Sequence, residues 1–362
     1  MSMPEQPKIA HIIIRLDAGG AERNLERLVK ATHARLVNKV FCLGFPTSVG
    51  ADIEQAGAEV SYFDYRSPFA LIKLARALKD YSPDVVQGWM YRGNLCASLF
   101  SRTRTVWNVL HTLGDAKEKW TVRLSMALAR RCRRDLVLFN SRSSLESHRY
   151  LGFDKPEALV VANGIDTDVF KPCPSIRERA RAHLPSGTEW VGFTGRFHYH
   201  KGPDVFLHAI APLLEERENL RIVLAGEGMS ADNLELTELL DTLDIDRERV
   251  DLMGRHDQLQ TLLPGLDCMV LSSRAESMPN VVLEAMACAV PVIATDVGDV
   301  QDMLRDPSRV CPPENPPMLR DKIEILLNKP IDASADRARV VEHYHIDVYG
   351  DAFVNAYRSL LR

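Results

Sequence analysis

Most signals that would settle a function quickly are missing from this chain. None of its seven cysteines, at positions 42, 96, 132, 173, 268, 288 and 311, stands in a CxxC pair. That leaves no zinc knuckle and no dithiol redox motif. Scattered and odd in number, they read as reduced thiols of a cytoplasmic protein. The longest uncharged run is Val40–Ala51, well short of the ~20 apolar residues of a membrane-spanning helix. The opening residues Met-Ser-Met-Pro-Glu-Gln-Pro-Lys carry no apolar signal core. No GxGxxG is present, which argues against a dinucleotide-dependent oxidoreductase. Nor is there a repeat, a low-complexity tract, or a basic patch interleaved with aromatics, so nucleic acid is not an expected partner.

What is present is length and alternation. The chain has 362 residues, 46% of them hydrophobic, enough for two domains with separate cores. Its net charge of -4 hides an asymmetry: 25 Lys and Arg stand against 18 Asp and Glu over residues 1–172, about +7, which leaves about −11 beyond. Apolar runs predict strands at Lys8–Ile14, Val37–Cys42, Val60–Phe63, Val85–Gly88, Val106–Leu110, Leu136–Phe139 and Ala158–Val161. Helical periodicity lies between several of them, at Ala21–Ala34, Phe69–Asp80 and Val122–Arg134. After the punctuated stretch Lys171–Pro174 the pattern restarts, with strands at Trp190–Thr194, Arg221–Ala225, Val250–Met253, Cys268–Leu271 and Val292–Ala294. Alternation of this kind predicts two doubly wound parallel sheets covered by helices. The expected domains are 1–172, 173–345 and a terminal helix from 346 to 362, with ligands outside the carboxyl ends of the strands.

Each informative segment follows a predicted strand. Gly19 and Gly20 lie in the first strand–helix turn, where they let a ligand approach the backbone or simply make a tight turn. Phe193–Gly202 carries Arg196 and Lys201, two cations that either converge on a diphosphate or sit solvated at the surface. Leu224–Met229 is a glycine-rich turn that either lines a donor cleft or simply reverses the chain, and Met253–Asp257 is a short loop whose backbone either recognises a flat base or only scaffolds the loop. The most informative stretch is Glu276-Ser-Met-Pro-Asn-Val-Val-Leu-Glu284. Glu276 falls in a loop, and Glu284 one turn into a helix beginning near Pro279. A loop acid beside a helix N-terminus can hold hydroxyls while the free N–H groups and the dipole hold an anion.

Taken in order, Gly195-Arg196 with Lys201-Gly202, Gly226-Glu227-Gly228, Gly254-Arg255 with Asp257, and Glu276 to Glu284 followed by Ala285-Met-Ala-Cys288 resemble the donor half of family 4 retaining glycosyltransferases. Gly19–Arg23, Asp84–Val86, Asn108–His111, Asn140-Ser141 and Asn163–Asp166 resemble the other half, so the likeness covers nearly the whole chain. It implies the GT-B fold: two facing Rossmann-like domains, a cleft between them, and a C-terminal helix crossing back to the first. It also implies roles. Arg196 and Lys201 would grip the diphosphate of a nucleotide sugar, with Gly19, Gly20 and Gly195 close by. Glu276 would meet sugar hydroxyls, His111 the C6 side of the sugar, and Glu284 the ribose. The stretch Met278, Pro279, Asn280, Val281 would lie at the sugar–phosphate junction, and Arg255-His256 beside the base. Two departures concern substrate detail: Ala289 stands where the family often has glycine, and Asp299–Val310 lacks the usual glycines.

A pair of glutamates also invites a glycosidase reading, but Glu284, one turn past an anion-binding N-terminus, suits hydroxyl recognition better. Front-face transfer with retention is the expected chemistry, the leaving diphosphate taking the acceptor's proton, and with two cations present no metal or other cofactor is expected. The donor is a UDP-sugar or GDP-mannose. The resemblance and the basic first half point to a glycan or lipid-linked acceptor in cell-surface polysaccharide, lipopolysaccharide or glycolipid assembly. Lys117–Arg134 has seven basic residues against one acid, with Trp120 among its aliphatics. As a helix it would rest on the anionic inner face of a membrane or stand as a solvated basic helix. Trp89-Met-Tyr91 is either an acceptor wall or core. The competing readings are a nucleotide-sugar epimerase of the same fold and a catalytically silent binding subunit.

Overall fold

The computed structural model describes residues 6–17, 19–111, 120, 122, 123, 127, 134–153 and 157–362. The expected helix Val122–Arg134 and the basic stretch Lys117–Arg134 lie almost wholly outside the described residues. Two compact units are present: residues up to Gly164 with Tyr344–Arg362, and Ile165–His343.

The first unit runs β1 (Lys8–Ile13), α1 (Gly20–Thr32), β2 (Val37–Cys42), α2 (Ser48–Gln55), β3 (Glu59–Tyr62), α3 (Ala70–Tyr81), β4 (Val85–Trp89), α4 (Met90–Phe100), β5 (Arg104–Val109), β6 (Leu136–Phe139), α5 (Arg142–Arg149) and β7 (Ala158–Val160). Its seven strands are ordered β3-β2-β1-β4-β5-β6-β7, every pairing parallel. The central strands are covered by helices, and β4 and β6 are buried throughout. Helix α2 was not foreseen. It starts inside the uncharged run Val40–Ala51, where Thr47 Oγ1 accepts the Gly50 N–H at 3.2 Å and caps it.

The second unit runs α6 (Pro174–Ala180), β8 (Glu189–Thr194), α7 (Pro203–Glu216), β9 (Leu220–Ala225), α8 (Leu234–Thr242), β10 (Val250–Gly254), β11 (Cys268–Leu271), α9 (Asn280–Ala287), β12 (Val292–Thr295), α10 (Val300–Leu304), β13 (Val310–Cys311), α11 (Pro316–Asn328) and α12 (Ser334–His343). Six parallel strands are ordered β10-β9-β8-β11-β12-β13. Val191, Phe193, Ile222 and Leu224 pack one sheet face against Phe206, Ile210 and Leu213 of α7 and Leu319 and Ile323 of α11.

The last helix, α13 (Ile346–Leu361), belongs to the first unit. Tyr349, Phe353 and Tyr357 join the core built on β1 and α1. A Cβ on Gly164 would lie 2.5 Å from Tyr349 Cβ. Asn24 of α1 donates to Asn163 at 3.0 Å, and Tyr349 donates to the Asn24 carbonyl at 3.2 Å. The Asn163-Gly164 piece thus serves packing at this joint. The chain passes to the second unit at Gly164–Ile165, a little ahead of the expected 172/173, and Lys171–Pro174 leads into α6. These are the two doubly wound α/β units of the GT-B fold.

Candidate active site

Sheet order creates a switch point in each unit. In the second, β8 and β11 are neighbours although β9 and β10 intervene in sequence. The connections therefore depart in opposite directions, and a crevice opens at the carboxyl ends of these two strands. Gly195–Gly202 follows β8 and Ser272–Pro279 follows β11, flanked by the glycine turns after β9 and β10. This arrangement brings Arg196, Lys201, Glu276 and the α9 N-terminus to one edge of one sheet.

The backbone is shaped by close approach. Gly202 has φ +64, and a Cβ there would stand 2.2 Å from the Ser272 carbonyl oxygen. Ser272 Oγ in turn donates to the Gly202 carbonyl at 2.7 Å. Gly226, at φ +144, would place a Cβ 2.0 Å from the Gly195 carbonyl oxygen. Its N–H reaches Gly254 O at 2.7 Å, and Phe197 N–H reaches Glu227 O at 2.8 Å. The glycine turns after β9 and β10 therefore buttress the Arg196 loop.

Lys201 Nζ donates to Glu276 Oε1 at 2.6 Å, and Ser273 Oγ donates to the same oxygen at 2.8 Å. The two charged side chains are only 29% and 13% exposed. The sequence assigned them to different parts of a ligand, whereas here they form an ion pair. Arg196 is exposed, and no ion pair among the described residues holds it. Beside it, the His198 imidazole titrates below its usual range, first through burial and then through the charges of His200, Arg196 and Lys201.

Helix α9 begins at Asn280, with Pro279 at its N-cap rather than inside the first turn. Pro279 has no N–H to offer, so Asn280 and Val281 carry the first donors of the helix. Met278 is buried. Glu284 is 6% exposed, and a glutamate is rarely this buried without partners. The helix closes with the Ala289 N–H on Met286 O at 2.9 Å and the Val290 N–H on Ala285 O at 3.0 Å. That cap puts Ala289 at φ +54, where glycine is the usual residue. After β10, Arg255 is exposed and pairs with Asp257 at 3.2 Å. His256 is half-buried and also borders a cavity of about 730 Å³, lined by Ile176, Arg179, His183, Trp190 and Asp251 among others. No residue of the β8 or β11 loops lines that cavity.

In the first unit the switch point lies between β1 and β4. Gly19 N-caps α1 at φ -102, a conformation open to any residue, and Gly20 is exposed. A Cβ at 19 would meet only the far end of the flexible Glu22 side chain, which can shift aside, so neither φ nor space requires glycine there. His111 follows β5. Burial lowers its pKa to about 4, so the ring is neutral at pH 7. Its Nδ1 is buried without a hydrogen-bond partner among the described residues, and its ring meets Tyr91 edge-on with centroids 4.7 Å apart. Tyr91 hydroxyl and His148 Nε2 are 2.5 Å apart. Trp89 is fully buried and donates to His11 Nδ1 at 3.3 Å, so it is core and no acceptor wall.

Sequence reasoning missed Ser272, Ser273, Thr295 and Arg274. Thr295 Oγ1 donates to Ser273 O at 2.6 Å. Arg274 donates to Asp204 at 2.8 and 2.6 Å and to Glu314 at 2.9 Å. A basic residue two positions before Glu276 was the one available signal. Among the described residues no group of three or more His, Cys, Asp or Glu could hold a metal ion, and no helix is long and apolar enough to cross a membrane.

Comparison with known proteins fits this geometry. HepE from Anabaena, solved with UDP and glucose, superposes with a TM-score of 0.87 at 20% identity, covering 98% of this chain and all of that one. Sucrose-phosphate synthase from Thermosynechococcus elongatus gives 0.80 at 18% identity, covering 98% of this chain and 99% of that one. D-inositol 3-phosphate glycosyltransferase 1 of Catenulispora acidiphila is 32% identical over 199 residues, 52% of this chain and 48% of the relative. The matches span about half the length of the curated relatives, or less. The model described as Glycosyltransferase Family 4 matches residues 18–169, and that described as Glycosyl transferases group 1 matches 188–329. With one model on each unit, the chain belongs to the group 1, family 4 glycosyltransferases.

Proposed function

We propose that the protein transfers a sugar from a nucleoside-diphosphate sugar to an acceptor hydroxyl with retention of anomeric configuration. The observation that carries this is the meeting of Lys201, Glu276 and the α9 N-terminus at the β8/β11 switch point. Arg196 and Lys201 face the diphosphate, and the α9 N-terminus adds its dipole. Glu276 takes sugar hydroxyls and Glu284 the ribose. His111, neutral at pH 7, offers a hydrogen bond to the sugar. Arg255 and His256 border the base. The two cations compensate the diphosphate without a metal.

In the transfer, the acceptor oxygen bonds to the anomeric carbon on the face from which the diphosphate departs. The anomeric C–O bond to phosphate breaks, and the departing phosphate oxygen takes the acceptor's proton. Charge growing on the leaving group is stabilised by Arg196, Lys201 and the helix N-terminus, and losing one such contact costs about 3 kcal/mol, or a hundredfold or more in rate. The relatives named for D-inositol 3-phosphate make a phosphorylated polyol the first acceptor to assay, with glycan and lipid-linked acceptors after it.

A thermal-shift screen with UDP, GDP and ADP identifies the donor base, because a ligand at a hundred times its Kd adds about 2.7 kcal/mol. With that donor, acceptor-dependent nucleotide release and an NMR reading of the product's anomeric centre test the reaction. Epimer formation without acceptor would replace this reading by the isomerase one, and an inverted product would remove front-face transfer.

A further inference from the structure

Arg274 sits two residues before Glu276, and its side chain is 12% exposed. Its Nε donates to Glu314 Oε1 at 2.9 Å, Nη1 to Asp204 Oδ1 and to the Tyr199 carbonyl at 2.8 Å each, and Nη2 to Asp204 Oδ2 at 2.6 Å. The guanidinium also lies 4.2 Å from the centroid of the Tyr199 ring. Its backbone N–H reaches His200 O at 2.8 Å. One residue thus ties the loop after β11 to the turn after β8, to the first turn of α7, and to the loop ahead of α11. Two carboxylates balance its charge, so Arg274 adds little to the anion field of the crevice.

We infer that Arg274 is a positioning residue for transfer: by clamping the 198–202 turn onto the 272–277 loop it sets the approach of Lys201 to Glu276. Asp204, Glu314 and Tyr199 are the supports of that clamp. The inference rests on the reading of Lys201 and Glu276 as donor-site residues. It also gives arginine a specific use at position 274. A lysine offers one point charge and cannot serve both Asp204 oxygens, Glu314 and the Tyr199 carbonyl in one plane.

The test compares Arg274→Gln, Arg274→Lys and Asp204→Asn with Arg320→Gln, which breaks an exposed pair with Glu216 on the same unit. Rates are expressed per site competent to bind nucleotide, so that misfolded protein is not counted. Both Arg274 variants are expected to lower kcat about tenfold to a hundredfold, since misplacing reacting groups by about 1 Å costs that much. Donor KM should move less than threefold, and Asp204→Asn should follow in the same direction. In a Glu276→Gln background, Arg274→Gln should add little further loss, because the group it positions has gone. An unchanged kcat per competent site, or full multiplicative loss in the double variant, would overturn the inference. If Arg274→Gln does not fold, Arg274→Lys and Asp204→Asn carry the same comparison. Near-wild-type turnover in Lys201→Ala would instead remove the underlying site assignment, which separates the two failures.

Discussion

The Lys201–Glu276 pair implies that the two residues act in opposite directions on a bound nucleotide. Without ligand, the Lys201 ammonium is committed to Glu276 Oε1 at 2.6 Å. An incoming diphosphate must share that cation and lie near a carboxylate. Two unit charges 4 Å apart interact by about 4 kcal/mol at an effective dielectric of 20. The pair is partly solvated, with 29% and 13% of the side chains exposed, and such pairs yield a net of about 1 kcal/mol. Glu276→Gln releases Lys201 and removes the repulsion, so affinity for the free nucleoside diphosphate should rise roughly fivefold, the equivalent of about 1 kcal/mol. Turnover should nevertheless fall about a hundredfold, because the sugar loses its orienting acid. Lys201→Ala should weaken diphosphate binding and lower turnover together. Isothermal titration with the nucleoside diphosphate and with the matching nucleoside, at low and high salt, isolates the effect: the gain in Glu276→Gln should vanish for the nucleoside and shrink with salt. Weaker diphosphate binding in Glu276→Gln would refute the reasoning, as would unchanged binding in Lys201→Ala.

Three further expectations follow from packing and burial. Ala289→Gly relieves a left-handed alanine in the cap of α9 and should stabilise by about 1 kcal/mol, or roughly 2–4 °C in Tm for a unit of this size; an unchanged or lower Tm would contradict it. Gly226→Ala places a Cβ 2.0 Å from the Gly195 carbonyl oxygen and should cost roughly 3 kcal/mol or more while abolishing nucleotide binding next to Arg196; wild-type melting and binding would refute it. Burial lowers the pKa of His11 from 6.5 to about 4, so between those values the unfolded chain binds a proton that the native state refuses. Stability is therefore full above pH 6.5 and lost as pH falls toward 4, by roughly 3 kcal/mol for this residue. Urea midpoints across that window should fall, His11→Gln should flatten the slope, and an equally steep slope in the variant would count against burial as its cause.

Much of the fold was legible because parallel strands covered on both faces are apolar along their whole length. Leu136–Phe139 and Cys268–Leu271 are such runs and lie where that pattern put them. The alternation also pointed to where the candidate site would lie, since loops at the carboxyl ends of such strands meet at the switch point. Elements without such a pattern escaped. Helix α2 has eight residues and starts inside an uncharged run, and β13 has two residues, too few to show any period. Trp89 was ambiguous because an aromatic after a strand can line a crevice or fill a core. What decides between them is the neutral His11 beneath it, whose Nε2 lies 3.1 Å from Asn38 Oδ1 and whose Nδ1 accepts the indole N–H.

Charge was the property least legible in the sequence. Around the β8 and β11 loops it shows three cations, Arg196, Lys201 and Arg274, and nothing in the sequence tells which of them are already neutralised by partners. In the fold, Arg274 is balanced by Asp204 and Glu314, Lys201 is paired with Glu276, and Arg196 is left exposed. The partners lie 70, 40 and 75 residues away along the chain, so no local window contains them. On the proposed reading, anion affinity at this crevice is set by which pairs a ligand can break. Arg274, with its donors fanned across two carboxylates and a carbonyl, is the hardest to recruit. Lys201, held through one nitrogen to one oxygen, can turn from Glu276 to a phosphate with a small rotation of a flexible stem. Lysine suits the position that must exchange partners, and arginine the position that must hold them.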